Sequence, residues 1–270
     1  MRLYEESLQL LNRRKGQLSP IDYNIVYLGD SWVEKINVPH YSYTSNEIFA
    51  AALNEAKKFN PLFIMHGGDI VFTGSRELLE NFIVVKNELV PDIPLFVTIG
   101  NHELEPTPSG PWSPENFLSI IGPLHFLLNV PEYQLTMIAL NTLYHFVYNE
   151  YGLTAEELKF LRQSLQQSLH NTFVATHVPP QSSEWSTNSG TFTINREPFL
   201  HEIKDKASIA FVSHVHAYDT AEIEDTRFVL SGCAGAPPNV NQVNHIVVVN
   251  VRNEGGRSRI RFKKVPVGWT

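Results

Sequence analysis

The sequence predicts a layered α/β protein, with sheets buried between helices. Three observations carry this expectation. Short apolar runs alternate with amphipathic stretches in the first half of the chain. The second half is mostly short apolar runs. Five of these runs end at once in a carboxylate, an amide or an imidazole.

Nine runs read as strands: 24–28, 62–65, 95–99, 133–140, 173–176, 209–212, 227–230, 245–251 and 259–264. Helices are expected between the early ones. Phe49, Leu53 and Ala56 recur at helical spacing, as do Leu78, Phe82, Val85 and Leu89 after Ser75, and Leu158, Leu161, Leu165 and Leu169. The last of these has a start signal. Thr154 is placed to cap the helix and Glu157, three residues on, to complete a capping box. Tyr4, Leu8 and Leu11 mark an N-terminal helix, with Arg13, Arg14 and Lys15 in its last turn, where cations suit the helix dipole and a solvated helix end is expected. Asn253-Glu254-Gly255-Gly256 reads as a turn. In the strand after it, Ile260 and Phe262 alternate with Arg259, Arg261 and Lys263, the pattern of a half-exposed strand near a sheet edge. One domain spanning residues 1–270 is the simplest organisation. Residues 1–20 then form a helical extension, and residues 103–124, which include a Pro-rich stretch, form a loop insertion on the substrate side.

Composition narrows the function classes. Apolar residues make up 43% and charged residues 18% of the 270, ordinary for a globular protein. A net charge of −7 with no basic stripe argues against a nucleic-acid scaffold or an anionic membrane as partner. No apolar run reaches membrane-span length. Charges interrupt the N-terminal apolar residues, so a signal peptide is not expected. Cys233 is the single cysteine, which excludes an intrachain disulfide and a cysteine-based zinc site and is compatible with a reducing compartment; a cytoplasmic location is expected. There is no Gly-x-Ser-x-Gly elbow and no Walker-type phosphate loop.

The strand ends hold the chemistry. They run into Gly29-Asp30, His66-Gly67-Gly68-Asp69, Gly100-Asn101-His102-Glu103, His177 and Ser213-His214-Val215-His216. In open α/β sheets, ligands bind beyond the carboxyl ends of strands, and glycines there allow sharp turns and close approach. Asp, Asn and His together suit metals such as Mn, Fe or Zn. On one straight strand His214 and His216 would share a face; a bend at the strand end would aim them at different ions. Taken singly, each histidine is more often an ordinary polar residue, and His125, His145, His170, His201 and His245 match no motif.

In order and spacing, these segments resemble the signature of the calcineurin-like metallophosphoesterases: Asp-x-His, Gly-Asp, Gly-Asn-His-Glu/Asp, a lone His and Gly-His-x-His. The resemblance covers residues 24–216, and the small-residue segment Gly232 to Pro237 fits what trails the last motif. It implies a sandwich of two mixed sheets flanked by helices, α/β/β/α, with a binuclear site of divalent or trivalent ions at the strand ends. Asp69 would bridge both metals, Asp30 and His216 would hold the first, and Asn101, His177 and His214 the second. His102 would face the substrate and assist the leaving oxygen, with Asn101 also near the phosphate, and Glu103 would orient His102 or cap the turn. The implied activity is hydrolysis of a small-molecule phosphomonoester or phosphodiester by a metal-activated hydroxide. Trp32 is expected to pack under the site, with stacking on a base as the alternative, and Trp112, Trp185 and Phe192 offer aromatic surfaces for a base, a sugar or nothing at all.

Two positions depart from the signature. Trp32 stands where the family has a metal-binding histidine, and indole offers a metal no lone pair. Purple acid phosphatases also lack that histidine but supply a tyrosine three residues after the Gly-Asp aspartate; here that residue is Phe72. Three outcomes fit. The first metal has fewer protein ligands and more water; Glu34, His40 or His66 substitutes; or the site is mononuclear or inactive, as in a binding or regulatory protein built on the same scaffold. Ser213 in place of glycine is the second, milder departure.

Overall fold

The computed structural model describes residues 1–34, 45–106, 112–147, 150–183, 185 and 190–268. Two mixed sheets lie face to face. The first has the order β11-β10-β1-β2-β3, with β1 (Asp22–Leu28), β2 (Ile64–His66) and β3 (Leu95–Val97) parallel and β10 (His245–Glu254) and β11 (Arg257–Pro266) antiparallel beside β1. The second has the order β4-β5-β6-β7-β9-β8. Its centre is parallel: β5 (Leu135–Leu140), β6 (Asn171–Thr176), β7 (Ile209–Val212) and β9 (Thr226–Ser231). The edges β4 (Phe126–Val130) and β8 (Tyr218–Ile223) are antiparallel.

Side-chain alternation explains the layering. In β1, Tyr23, Ile25 and Tyr27 join Phe63, Met65 and Phe96 in the layer between the sheets, where they meet Tyr133, Met137, Phe173 and Phe211. Tyr27 stacks on Phe211 with centroids 4.6 Å apart, and Tyr23 meets Tyr133 edge-on at 4.9 Å. The intervening Val26 and Leu28 face the other way, into a second cluster with Phe49, Leu53 and Phe82. Those residues lie on α2 (Ser45–Lys58) and α3 (Arg76–Leu89), while α5 (Ala155–Gln166) and α6 (Arg196–Ile203) bring Leu158, Leu161 and Phe199 to the same cluster. Burying one such aromatic or aliphatic side chain contributes roughly 1.5–3 kcal/mol. Among the described residues, no helix is long and apolar enough to cross a membrane.

The local signals mostly hold. The Ser75 hydroxyl accepts the Leu78 N–H at the start of α3, and Thr154 accepts the Glu157 N–H at 3.2 Å at the start of α5. The capping box is not completed. The Glu157 carboxylate turns instead to His125 Nδ1 at 2.6 Å and the Asn141 N–H at 3.2 Å, because tertiary partners compete for it. The last strand, β11, is a half-exposed edge as expected. In α1 (Leu3–Arg14), Arg14 is not solvated. It is buried, with Nε donating to Pro61 O and Nη2 to Asn60 Oδ1, both at 2.6 Å. Ser7 ties the same helix to Leu95 of β3 through both backbone groups. Within residues 103–124, Glu105 pairs with Ser113 and a short helix α4 (Glu115–Ile120) follows.

Candidate metal centre

The carboxyl ends of β1, β2, β3, β6 and β7 converge. Asp30 and Asp69 follow β1 and β2 in equivalent left-handed conformations, each with φ of 54°. The Asp30 N–H donates to Gly68 O at 3.0 Å, so the two loops are stitched together. Trp32, His214 and His216 also lie at positive φ, of 46°, 71° and 50°. A left-handed conformation costs an L-residue roughly 1–2 kcal/mol, and such strain gathers at functional sites. It also resolves the geometry of His214 and His216, because a chain bent at both residues sends the imidazoles to different clusters.

Two clusters form, and they share Asp69. Potential ligand atoms of Asp69, His177 and His214 lie within 4.8 Å of one another, as do those of Asp30, Asp69 and His216. His177 Nε2 is 3.3 Å from Asp69 Oδ1, 3.2 Å from Asn101 Oδ1 and 3.2 Å from His214 Nδ1. His216 Nε2 is 3.4 Å from Asp30 Oδ1. Backbone carbonyls fix the rings. His177 Nδ1 donates to Gly67 O at 2.7 Å and His216 Nδ1 to Pro237 O at 3.0 Å, which turns each Nε2 inward. His102 stands at the edge. Its Nδ1 donates to Phe72 O at 2.7 Å, and its Nε2 lies 3.9 Å from Asp69 Oδ2.

This donor set fits cations. Carboxylate, amide and imidazole lone pairs face one another, and the Asp30 Oδ1 atom is buried without a hydrogen-bond partner. Burial works against a charge on His177, yet the Asp69 carboxylate raises it to about 9, so the centre attracts positive charge. Burial likewise opposes ionisation of Asp69, but His177 and His102 hold its carboxyl far below the usual range.

Glu103 holds the loops rather than His102. Its carboxylate is fully buried and accepts the N–H groups of Asp69 and Ile70 at 2.8 Å, Gly100 at 2.7 Å and Val71 at 3.4 Å. The glycines are required by close approach. A Cβ on Gly100 would lie 2.2 Å from Asp69 Oδ1, and one on Gly68, at φ +95°, would lie 2.7 Å from His177 Nδ1. Ser213 fits below the site. Its hydroxyl lies 2.8 Å from Tyr27 Oη, donates to Ser231 O at 2.8 Å, and occupies space that Gly29 and Gly67 leave open.

Of the candidate replacements for the absent histidine, the two that are described, His66 and Glu34, do not join either metal cluster. His66 is buried against Phe49 and Phe82, bonded to Ser31 Oγ at 3.0 Å, and burial pushes its pKa down to about 3. Glu34 has its backbone tied to the Asn46 side chain and stands outside both clusters. His40 lies outside the described residues. Trp32 itself sits in the centre, its ring 4.7 Å from that of His216 and 4.8 Å from that of His102. Of the other aromatic residues, Trp185 is buried with its indole N–H on Asp219, and Phe192 is fully buried against Phe199, so neither offers a substrate surface. Trp112 is half-buried against the hydrophobic cluster that contains Phe49 and Phe82. Tyr151, which the sequence does not single out, packs edge-on to His214 at 5.1 Å; it arrives from a loop with no motif to mark it.

A model of the calcineurin-like phosphoesterases matches residues 25–218. No curated protein matches the chain in sequence. Among solved structures, a dimetal phosphatase from Danio rerio superposes with a TM-score of 0.64 at 14% identity, covering 91% of this chain and 97% of that one. A purple acid phosphatase from yellow lupin gives 0.65 at 15% identity, covering 90% of this chain and 51% of the lupin protein. GAP50 of Plasmodium, described as the anchor in the inner membrane complex, gives 0.57 at 13%, covering 92% and 90%. These likenesses are of fold. The matched segment holds Asp30, Asp69, Asn101, His102, His177, His214 and His216, with Trp32 in place of the signature's first histidine, and the chain belongs to the calcineurin-like phosphoesterase family.

Proposed function

We propose that this chain is a metal-dependent phosphohydrolase that cleaves a phosphomonoester or phosphodiester bond of a small molecule. The observation that carries this is the pair of ligand clusters sharing Asp69, with Asp30 Oδ1 of the first cluster buried without a hydrogen-bond partner. Asp30, Asp69 and His216 would hold one ion, and Asp69, Asn101, His177 and His214 the other; Mn, Fe and Zn all suit these donors. When bound, two such ions would supply a water that ionises near neutral pH and would offset charge on the phosphoryl oxygens.

The chain's own residues do the rest. Gly67 and Pro237 carbonyls hold His177 and His216 in one tautomer. The Phe72 carbonyl does the same for His102, whose Nε2 is then the atom that meets the substrate. A proton or hydrogen bond donated from Nε2 to the leaving oxygen is worth roughly 10²–10⁴-fold. Asp69→Asn and His102→Ala are expected to lower turnover of p-nitrophenyl phosphate and bis(p-nitrophenyl) phosphate by at least about 10²-fold with the fold intact. Full activity in both variants contradicts the proposal.

The second reading is a binding or regulatory protein with an impaired first metal site, and Trp32 at the position of the missing histidine favours it. It predicts no metal-stimulated turnover on either ester. Hydrolysis at ordinary enzyme rates by the unaltered chain excludes it.

A further inference from the structure

Three rings surround the position where a leaving group would depart, and their arrangement bears on the substrate. Trp32 lies 4.8 Å from His102 and 5.3 Å from Phe72, and Phe72 lies 5.7 Å from His102. Phe72 is 43% exposed, although a phenylalanine gains by burial. The backbone positions both side chains. The Trp32 N–H donates to Asp69 O at 3.1 Å, the Phe72 N–H to Val33 O at 3.2 Å, and Val33 pairs with Val71 between them. Trp32 is held at φ 46°, a conformation a bulky residue rarely adopts. The indole Nε1 is buried and has no hydrogen-bond partner. A buried donor left unpaired calls for an explanation, and an acceptor on a bound ligand supplies one.

We infer that Trp32 and Phe72 form the leaving-group wall of the site and select phosphate esters whose leaving group carries a planar aromatic ring. The inference rests on the hydrolytic reading above and adds the substrate class. His102 stands between the wall and Asp69, so a group that accepts its hydrogen bond is set beside the rings of Phe72 and Trp32. Stacking on an aromatic face favours planar π-systems, and an aliphatic alcohol of the same reactivity gains little from it. The substitution of tryptophan for a metal-binding histidine then exchanges one metal ligand for substrate contact, and Phe72 replaces the tyrosine of the alternative solution with a ring that has no hydroxyl to ligate.

The test separates binding from turnover. Isothermal titration calorimetry of the full Mn-loaded chain compares phenylphosphonate with methylphosphonate, neither of which is hydrolysed. Kinetics compare AMP with ribose 5-phosphate, which leave through the same primary alkoxide and differ at C1′, where one carries the base and the other a hydroxyl. The expected preference for the ring-bearing member is about tenfold, the scale of one stacked base. Phe72→Leu and Trp32→Leu keep apolar bulk but remove the ring, and each is expected to bring the preference toward unity. Phe72 is exposed, so its variant should fold, and circular dichroism checks this. A preference in either pair that both variants abolish supports the inference; in the phosphonate pair alone it places the ring next to the phosphate. Equal affinity within the phosphonates together with equal kcat/KM within the esters overturns it, as does a preference that survives both variants. If neither AMP nor ribose 5-phosphate turns over, the calorimetric pair alone decides whether the wall selects rings, and p-nitrophenyl phosphate and bis(p-nitrophenyl) phosphate decide the hydrolytic reading separately.

Discussion

Glu103→Ala is expected to be among the most damaging single changes in the site, although Glu103 touches neither metal nor substrate in this account. Its carboxylate receives three backbone N–H bonds of 2.7–2.8 Å, from Asp69, Ile70 and Gly100, and a longer one from Val71. All four donors are buried. Each donor left without a partner costs about 1–3 kcal/mol, so three lost bonds sum to roughly 3–6 kcal/mol once some water enters the space. That is a large part of the ~5–15 kcal/mol that stabilises a typical domain. Burial and the nearby Asp69 charge push the Glu103 carboxyl pKa up, and the N–H groups of Gly100 and Asp69 pull against them. Removing the group therefore removes a cost as well, which draws the sum toward the lower end of the range. Urea unfolding by circular dichroism measures the loss. Glu103→Gln retains one acceptor oxygen and is expected to lose less than Glu103→Ala. The same bonds tie the Asp69 loop to the Gly100-Asn101 loop, so kcat/KM should fall about 10²-fold even where Glu103→Ala is still folded, as expected when catalytic groups shift by about 1 Å. A Glu103→Ala protein within about 1 kcal/mol of the parent, below even one lost buried bond, refutes the reasoning.

Gly100→Ala should cost activity more than stability: its Cβ would sit 2.2 Å from Asp69 Oδ1 and 2.4 Å from Asp69 N, and the carboxylate must move. A drop of about 10²-fold in kcat/KM is expected, and unchanged kinetics would contradict the close packing of the two loops. Acid should destabilise the fold through His245, which is fully buried, donates from Nδ1 to Val243 O at 2.8 Å, and has its pKa pushed down to about 4 by burial. Between pH 6.5 and about 4 the unfolded chain takes up a proton that the folded chain refuses, so stability falls as pH falls through that window, by up to about 3 kcal/mol. His245→Gln should flatten this part of a plot of urea midpoint against pH; an unchanged slope would assign the acid sensitivity elsewhere.

The strand-end residues were legible because each follows an apolar run, and Asp30, Asp69 and Asn101 also sit beside a glycine, a pattern that follows from packing a strand and then turning sharply at its end. The division of His214 and His216 between two clusters needed only the bend expected at a strand end. Other features depend on tertiary partners. The reciprocal bond expected of Glu157 was lost to His125 and Asn141, which approach from elsewhere in the fold. Arg14 has the spacing of a solvated helix end, yet a carbonyl and an amide oxygen at residues 60–61 take it inside. The edge strand β8 escaped notice because polar side chains, Asp219 and Glu222 among them, break up its apolar pattern. Trp185 and Phe192 carry the composition of a binding surface and the burial of a core. No local pattern distinguishes the two.

The central claim is that this chain assembles two metal sites around Asp69 although Trp32 replaces one expected ligand. Metal content per chain, by elemental analysis after saturation with Mn and desalting, tests it most directly. The account predicts close to two ions, falling to about one in His216→Ala, because the first cluster then keeps only its two carboxylates. One ion or none in the unaltered chain would contradict it and mean that Trp32 has emptied the first site.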